Sequence, residues 1–338
     1  MVSLKEMRAA LATFKDTQTF VAVVVGGTSG IGECIVRAIA KYGSDPTIVI
    51  VGRNATAAEK IIGECQKLSP SAKFEFLAQD VSLLKGVDDV CEKIRDKLHH
   101  LDLLFMTPDY LSLAREETSE GVEKALSLRY YCRMRFIQGL LPLLEISAKP
   151  RVVSVFAPLY GEAGFHMDDL DLKSHSGILI GTSHASFMTS LANEKLADQH
   201  PNVSFVHVFP GMIWTPSVSA GQVPFLLRWL MIIVGVPVFW LFGQSYEECG
   251  TRMLFLSLTS ILPSKSSGAN GKGQGILEAG ESQTILVGSD GEKGSGAYCV
   301  DSAVKRLNNE KKLKALKAKG ATDVIWEHTM EIFRSVGS

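Results

Sequence analysis

Seven residues near the start of the chain, Gly26-Gly27-Thr28-Ser29-Gly30-Ile31-Gly32, have the types and spacing to cradle a pyrophosphate. They stand between a β-branched run at 20–25 and a stretch of helical periodicity that ends near Tyr42. Glycine lets the backbone turn tightly and approach a phosphate, which then lies on the helix N-terminus where N–H dipoles converge. Gly26, Gly30 and Gly32, with Thr28, Ser29 and Ile31 between them, are therefore candidate dinucleotide contacts. The bland alternative is a plain tight strand–helix turn. About twenty residues further on, a binder of NAD usually places Asp or Glu on the ribose hydroxyls. Here the positions read Gly52-Arg53-Asn54. A guanidinium pairs bidentately with a 2′-phosphate, so Arg53 and Asn54 point to NADP(H) rather than NADH.

The G-x-x-x-G-x-G spacing resembles that of the short-chain dehydrogenase/reductase family, and the resemblance covers about residues 18–260. Asp80-Val81, at the end of the third expected strand, is similar to the family's adenine-contacting Asp. Asp80 also reads as a helix N-cap, and the two roles are compatible. Pro210-Gly211-Met212-Ile213-Trp214-Thr215 matches the family's Pro-Gly turn, in which Pro210, Gly211, Ile213 and Thr215 would hold the nicotinamide carboxamide. Thr107-Pro108-Asp109-Tyr110 replaces the usual Asn-Asn-Ala-Gly. Thr107 is kept as a cofactor contact, and the packing of the central sheet must differ there.

What the resemblance implies about catalysis is mostly missing. The family's relay needs a Tyr-x-x-x-Lys pair, and no Tyr in this chain is followed four residues later by Lys. The family's Asn position is taken by Arg129 and its Ser position falls near Ala157, Ser154 lying inside the fifth strand. Residues 181–186 occupy the Tyr/Lys region. The stretch 170–211 looks like a divergent group of fungal short-chain dehydrogenases of secondary metabolism. Atypical members in such pathways reduce an iminium and guide a cyclisation, using an Arg and an Asp. Arg129 matches the Arg, and Asp168 is the candidate for the Asp. Tyr160 or His166 could supply a proton, and His184 could fill the space of the lost pair. Each has a bland reading: Arg129, Arg133 and Arg135 as the exposed side of a basic helix, Asp168, Asp169 and Asp171 as a solvated turn, the others as packing.

The elements that must position these residues follow from hydrophobic period. Strands are expected at 20–25, 47–51, 74–78, 101–106, 151–156 and 203–209. Helices are expected at 32–42, 55–68, 87–98, 118–144 and 182–199, with Pro142 bending or ending the fourth. This alternation predicts an α/β Rossmann-type fold, a doubly wound parallel sheet with helices on both faces. The first twenty residues read as a short amphipathic helix rather than a signal peptide. Residues 1–262 form the expected domain. Residues 263–338 follow as a loose Ser/Gly-rich loop at 264–296 and C-terminal helices.

The 338 residues carry a formal charge of −1, so no basic field suggests nucleic acid. Six scattered cysteines lack metal-ligand spacing and suit a reducing, cytoplasmic compartment. From 223 to 243 the chain is apolar except for Arg228. That is long enough to span a bilayer, but Pro224, Gly235 and Pro237 interrupt it. It reads as a hydrophobic lid over a greasy substrate or as a hairpin lying in a membrane surface. The resemblance also implies a homodimer, paired through the helices near the fourth and fifth strands. Three functions fit: an NADPH-dependent reductase of a hydrophobic carbonyl or iminium, a non-redox isomerase or cyclase, and a nucleotide-binding protein without catalysis. Replacing Arg53 by Ala should weaken NADPH binding about 10- to 100-fold, the worth of charge-assisted hydrogen bonds, and leave NADH binding unchanged. Fluorescence titration with each cofactor reads the difference; undiminished discrimination removes Arg53 from this role.

Overall fold

The computed structural model describes residues 2–14, 20–112, 114–157, 164–175, 177–213, 243–269, 275–277 and 284–337. Valine-rich β1 (Val21–Val25) is buried along its whole length, with Val21, Val23 and Val25 entering one core and Ala22 and Val24 the other. Such a strand, covered on both faces, is the signature of a parallel sheet. The remaining strands are β2 (Thr47–Gly52), β3 (Lys73–Ala78), β4 (Leu103–Met106), β5 (Arg151–Val155), β6 (Ser204–Phe209) and β7 (Ala297–Asp301). They form one seven-stranded sheet in the order β3-β2-β1-β4-β5-β6-β7, every pairing parallel. The order reverses between β1 and β4, and ligands of open α/β sheets bind at such a switch point.

One core cluster joins α1 (Leu4–Ala12), α2 (Gly30–Tyr42), α3 (Ala55–Leu68) and α8 (Tyr246–Leu258) to the sheet. On the other face lie α4 (Leu84–Lys97), α6 (Cys132–Ile146), α7 (Ile178–Gln199), α10 (Glu310–Ala318) and α11 (Ala321–Gly337). The short α9 (Lys265–Ala269) sits at the surface with no buried residue. All six cysteines are buried and free. Among the described residues no helix is long and apolar enough to cross a membrane. Of the apolar run 223–243, all but Gly243 lies outside them.

Several expected boundaries shift, each for a local reason. The long helix begins at α5 (Lys124–Leu126), not at 118, because Glu123 caps it by accepting from the N–H of Ala125 at 3.1 Å and of Leu126 at 2.5 Å. Residues Ser127–Tyr131 then form a π-helical segment before α6. Pro142 stands inside α6 without ending it, since the helix runs on to Ile146. The expected stop does not occur; the proline removes a single N–H in the last turns. The sheet also extends beyond residue 262. β7 pairs along β6, and Tyr298 is anchored there by donating to the carbonyl of Pro263 at 2.8 Å. Arg151, fully buried on β5, donates to the carbonyls of Leu256 at 2.8 Å and Leu262 at 2.7 Å. Burial pushes its pKa down to about 10, so it stays charged at neutral pH.

The chain's last helix closes this face. Ala321, Ile325, Thr329, Phe333 and Val336 form a buried stripe along α11 at three- and four-residue spacing. Phe333 lies beneath the Arg135 guanidinium at 4.8 Å, and Lys195 on α7 pairs with Asp323 at 2.7 Å. His328 approaches Asp171 at 3.0 Å. The Asp171 carboxyl is held down at about 2, chiefly by the hydrogen bond to His328 and then by Lys173. A carboxylate lowered in this way stabilises the fold above its unfolded pKa of about 4 and loses that contribution as pH falls toward its folded pKa. Acid titration followed by circular dichroism should therefore show wild-type stability falling between about pH 4 and pH 2. Asp171→Asn should be flatter across that window; equal slopes would show that the pair contributes nothing.

Candidate functional site

The glycine turn after β1 meets the loop after β4 at the switch point. Gly26 has φ +85°, and a Cβ there would stand 2.3 Å from Thr107 Oγ1. Thr107 in turn donates to the Val25 carbonyl at 3.2 Å. Gly32 is required by close approach, because a Cβ on it would lie 2.2 Å from the Gly26 carbonyl oxygen. Ser29 is the N-cap of α2 but its side chain makes no capping hydrogen bond. The N–H groups of Gly30, Ile31 and Gly32 have no intrahelical partners and are left for an anion. Gly52 packs so tightly on Thr28 that a Cβ would come within 2.8 Å of its methyl. This cradle, with its uncapped helix end, fits a dinucleotide pyrophosphate.

Around the cradle the other candidates divide. Arg53 is exposed and has no partner among the described residues, which suits a side chain waiting for a phosphate. Asn54 caps α3, accepting from the Ala57 N–H at 3.0 Å. Asp80 accepts from the Ser82 N–H at 3.0 Å in a turn of its own. It does not cap α4: Glu120 does, accepting from Leu84 N–H at 2.6 Å and Lys85 N–H at 2.9 Å. Val81 is buried beside it. Pro210 and Gly211 (φ +84°) follow β6 toward buried Ile213. Thr215 and Tyr160 lie outside the described residues.

Arg129 is not on a solvated face. It sits in the π segment, 4% exposed, with Nε donating to Asp109 Oδ1 at 2.6 Å and Nη2 to the Tyr110 carbonyl at 2.9 Å. Its guanidinium lies over the Phe156 ring at 5.6 Å. Gly181 of α7 faces Nη1, so that a Cβ there would be 3.5 Å away. Nη1 has no hydrogen-bond partner among the described residues. π-Helical turns recur at functional sites, and this one carries the residue in the family's Asn position. Arg133, one turn on and fully buried, also stacks on Phe156 and donates to the Pro108 carbonyl at 2.7 Å. Burial pulls its pKa down to about 10. Only Arg135 of the three reads as expected, pairing with Asp88 at the surface.

The carboxylate at Arg129 is Asp109, which the sequence reading passed over although it lies in the tetrapeptide that departs from the family pattern. Asp168 is exposed, and no hydrogen bond or ion pair joins it to Arg129. It lines a surface groove with His328 and Glu331. Asp169 closes its turn by accepting from the N–H groups of Lys173, Ser174 and His175. Burial raises its pKa, but the His175 ring and these N–H groups outweigh that and hold it well below the carboxylate range. His166 stacks on His175 at 3.6 Å. His184 is buried against Phe165, and burial, then His166, pushes its pKa down to about 4. It is neutral at pH 7 and packed. His207 on β6 is likewise held neutral, at about 3, by burial and then by Arg133. Ser154 faces the interior with its hydroxyl unpartnered among the described residues.

Comparison with known proteins agrees with this geometry. The short chain dehydrogenase profile matches residues 20–162. The chain is 38% identical to the oxidoreductase andH of Emericella variicolor over 99% of its own length and 98% of that protein's. It is 33% identical to the short-chain dehydrogenase/reductase SAT2 of Stachybotrys chartarum, covering 98% and 96%. Among solved structures it is similar to L-sorbose reductase from Gluconobacter frateurii in complex with NADPH and L-sorbose. That match has a TM-score of 0.54 at 18% identity and covers 86% of this chain and 98% of that one. With a seven-stranded parallel sheet and full-length relatives of this kind, the chain belongs to the short-chain dehydrogenase family of oxidoreductases.

Proposed function

We propose that the chain is an NADPH-dependent reductase of a hydrophobic secondary-metabolite intermediate, an iminium or a carbonyl, that works without the Ser-Tyr-Lys relay. The glycine cradle and Arg53 would hold the cofactor, which supplies hydride when bound. The observation that carries the reading is the ion pair of buried Arg129 with exposed Asp109, with Arg129 Nη1 turned to Gly181. A guanidinium stays protonated at neutral pH, so Arg129 does not act as the acid. It orients an acceptor and stabilises negative charge developing on a carbonyl oxygen, while Asp109 balances a cationic acceptor such as an iminium. Hydride addition to an iminium needs no proton on the acceptor, which agrees with the missing relay. The apolar composition of 223–243 supports a greasy substrate met at a membrane surface.

The test uses the purified protein with NADPH and a panel of hydrophobic carbonyls and iminium compounds, following NADPH consumption. Arg129→Ala should lower turnover about 100- to 1000-fold, the usual cost of removing one preorganised donor, with NADPH affinity within about twofold of wild type on the same argument. Full activity in Arg129→Ala removes the residue from the mechanism. Product formed without NADPH consumption would assign the chain to the isomerase or cyclase class instead.

A further inference from the structure

The two residues after Arg129 are both tyrosines, and both hydroxyls reach the same helix. Tyr130 and Tyr131 are buried. The Tyr130 hydroxyl lies 2.9 Å from Thr329 Oγ1, and Thr329 itself donates to the Ile325 carbonyl at 2.7 Å. Its proton being committed, Thr329 accepts from Tyr130. The Tyr131 hydroxyl lies 2.8 Å from His328 Nε2, the atom that also faces Asp171 at 3.0 Å. Neighbouring residues of a helix point apart, yet here adjacent tyrosines of the π segment meet adjacent residues of α11.

A π turn is rare and occurs mostly as a single turn inside an α-helix, so what packs against this one bears on where its side chains point. The stripe on α11 could dock through apolar contact alone, and an apolar residue at 329 would avoid desolvating a hydroxyl. Placing Thr329 at its centre, on a tyrosine next to Arg129, fixes one geometry of the segment rather than adding adhesion. We propose that α11 is a brace in cis for the active-site arginine. In this arrangement Thr329 and His328 are positioning residues that hold the Ser127–Tyr131 turn, and with it Arg129, against Asp109. The inference rests on Arg129 being the working residue of the site, and it joins the chain's last helix to that site.

The experiment is chemical modification of arginine by p-hydroxyphenylglyoxal, mapped by peptide mass spectrometry, on the full-length protein with its α11 contacts altered. Arg151, buried far along the sheet and held by two carbonyls, is the internal control. In the double variant Thr329→Val with Tyr131→Phe, Arg129 should react about tenfold faster, the scale of losing two ordinary buried hydrogen bonds. Arg151 should be unchanged, and Thr329→Ser, which keeps the hydroxyl, should behave as wild type. An unchanged Arg129 rate overturns the proposal, as does a rise shared by Arg151, which would mean general loosening. Should the double variant not fold, near-isosteric Thr329→Val alone gives the same contrast, and no selective rise in it is equally decisive against the brace. The protection of Arg129 is read without substrate. Failure of Arg129→Ala to lose turnover is therefore a separate result from failure of the brace.

Discussion

A cation buried to the extent of Arg129 needs acceptors or opposite charge around it. Much of what distinguishes this chain's site follows from that need. Asp109 supplies the charge, the Tyr110 carbonyl an acceptor, and the Phe156 ring a polarisable face. Gly181 faces the guanidinium, where an added Cβ would make ordinary contact at 3.5 Å. The carboxylate comes from the loop after β4, whose sequence departs from Asn-Asn-Ala-Gly. In Thr107-Pro108-Asp109-Tyr110, Thr107 still ties β4 to β1, while Pro108 lends its carbonyl to Arg133. The two departures from the family pattern, at 109 and at 129, meet in one ion pair.

The front half of the sheet was legible because every level of the sequence agreed. Valines alternate between two cores, glycines sit where backbone approaches backbone, and Asn54 stands where α3 starts. The site was half legible. Arg129 was singled out by its place on the helix, but its burial was not foreseen. A basic triplet on one helix ordinarily faces water, and the wide turn that rotates Arg129 and Arg133 inward has no signature in a 3.6-residue period. Asp168 was the candidate for the Asp that the resemblance implies, with a solvated turn as its bland reading, and Asp109 was noted only within the tetrapeptide that departs from the family pattern. The acidic neighbours of Asp168 proved to serve a turn at Asp169 and a helix contact at Asp171. β7 escaped notice for another reason: Ala297–Asp301 is short and follows a glycine-rich stretch. Its pairing partner β6 lies nearly ninety residues earlier in the chain.

The C-terminal residues behave energetically as part of the main fold. Leu313, Ile325 and Phe333 belong to the same core as β1, α6 and α7, and Lys317 reaches Glu194 at 2.6 Å. These described residues share one core with the sheet, so the C-terminal helices pack as part of it. α11 packs against α7 through Lys195 and Asp323 and against α6 through Arg135 and Phe333.

The loss of the relay and the gain of the ion pair have one electrostatic logic. A tyrosine with a lysine beside it moves a proton, and its usefulness depends on a pKa tuned toward neutrality. Arginine cannot be tuned in that way: even Arg133, buried outright, is pulled only to about 10. If Arg129 is the working residue, as proposed, the site offers fixed charge instead of proton transfer. Fixed charge of one sign would favour only one kind of acceptor, but Asp109, 41% exposed, leaves negative charge accessible next to positive. An acceptor that is already cationic can rest against the carboxylate, and oxygen that becomes anionic can rest against the guanidinium. Neither requires the protein to change its protonation state around neutral pH. On the proposed reading the geometry of the pair stands where the pKa of a tyrosine would, and the support of the Ser127–Tyr131 turn is what keeps that geometry.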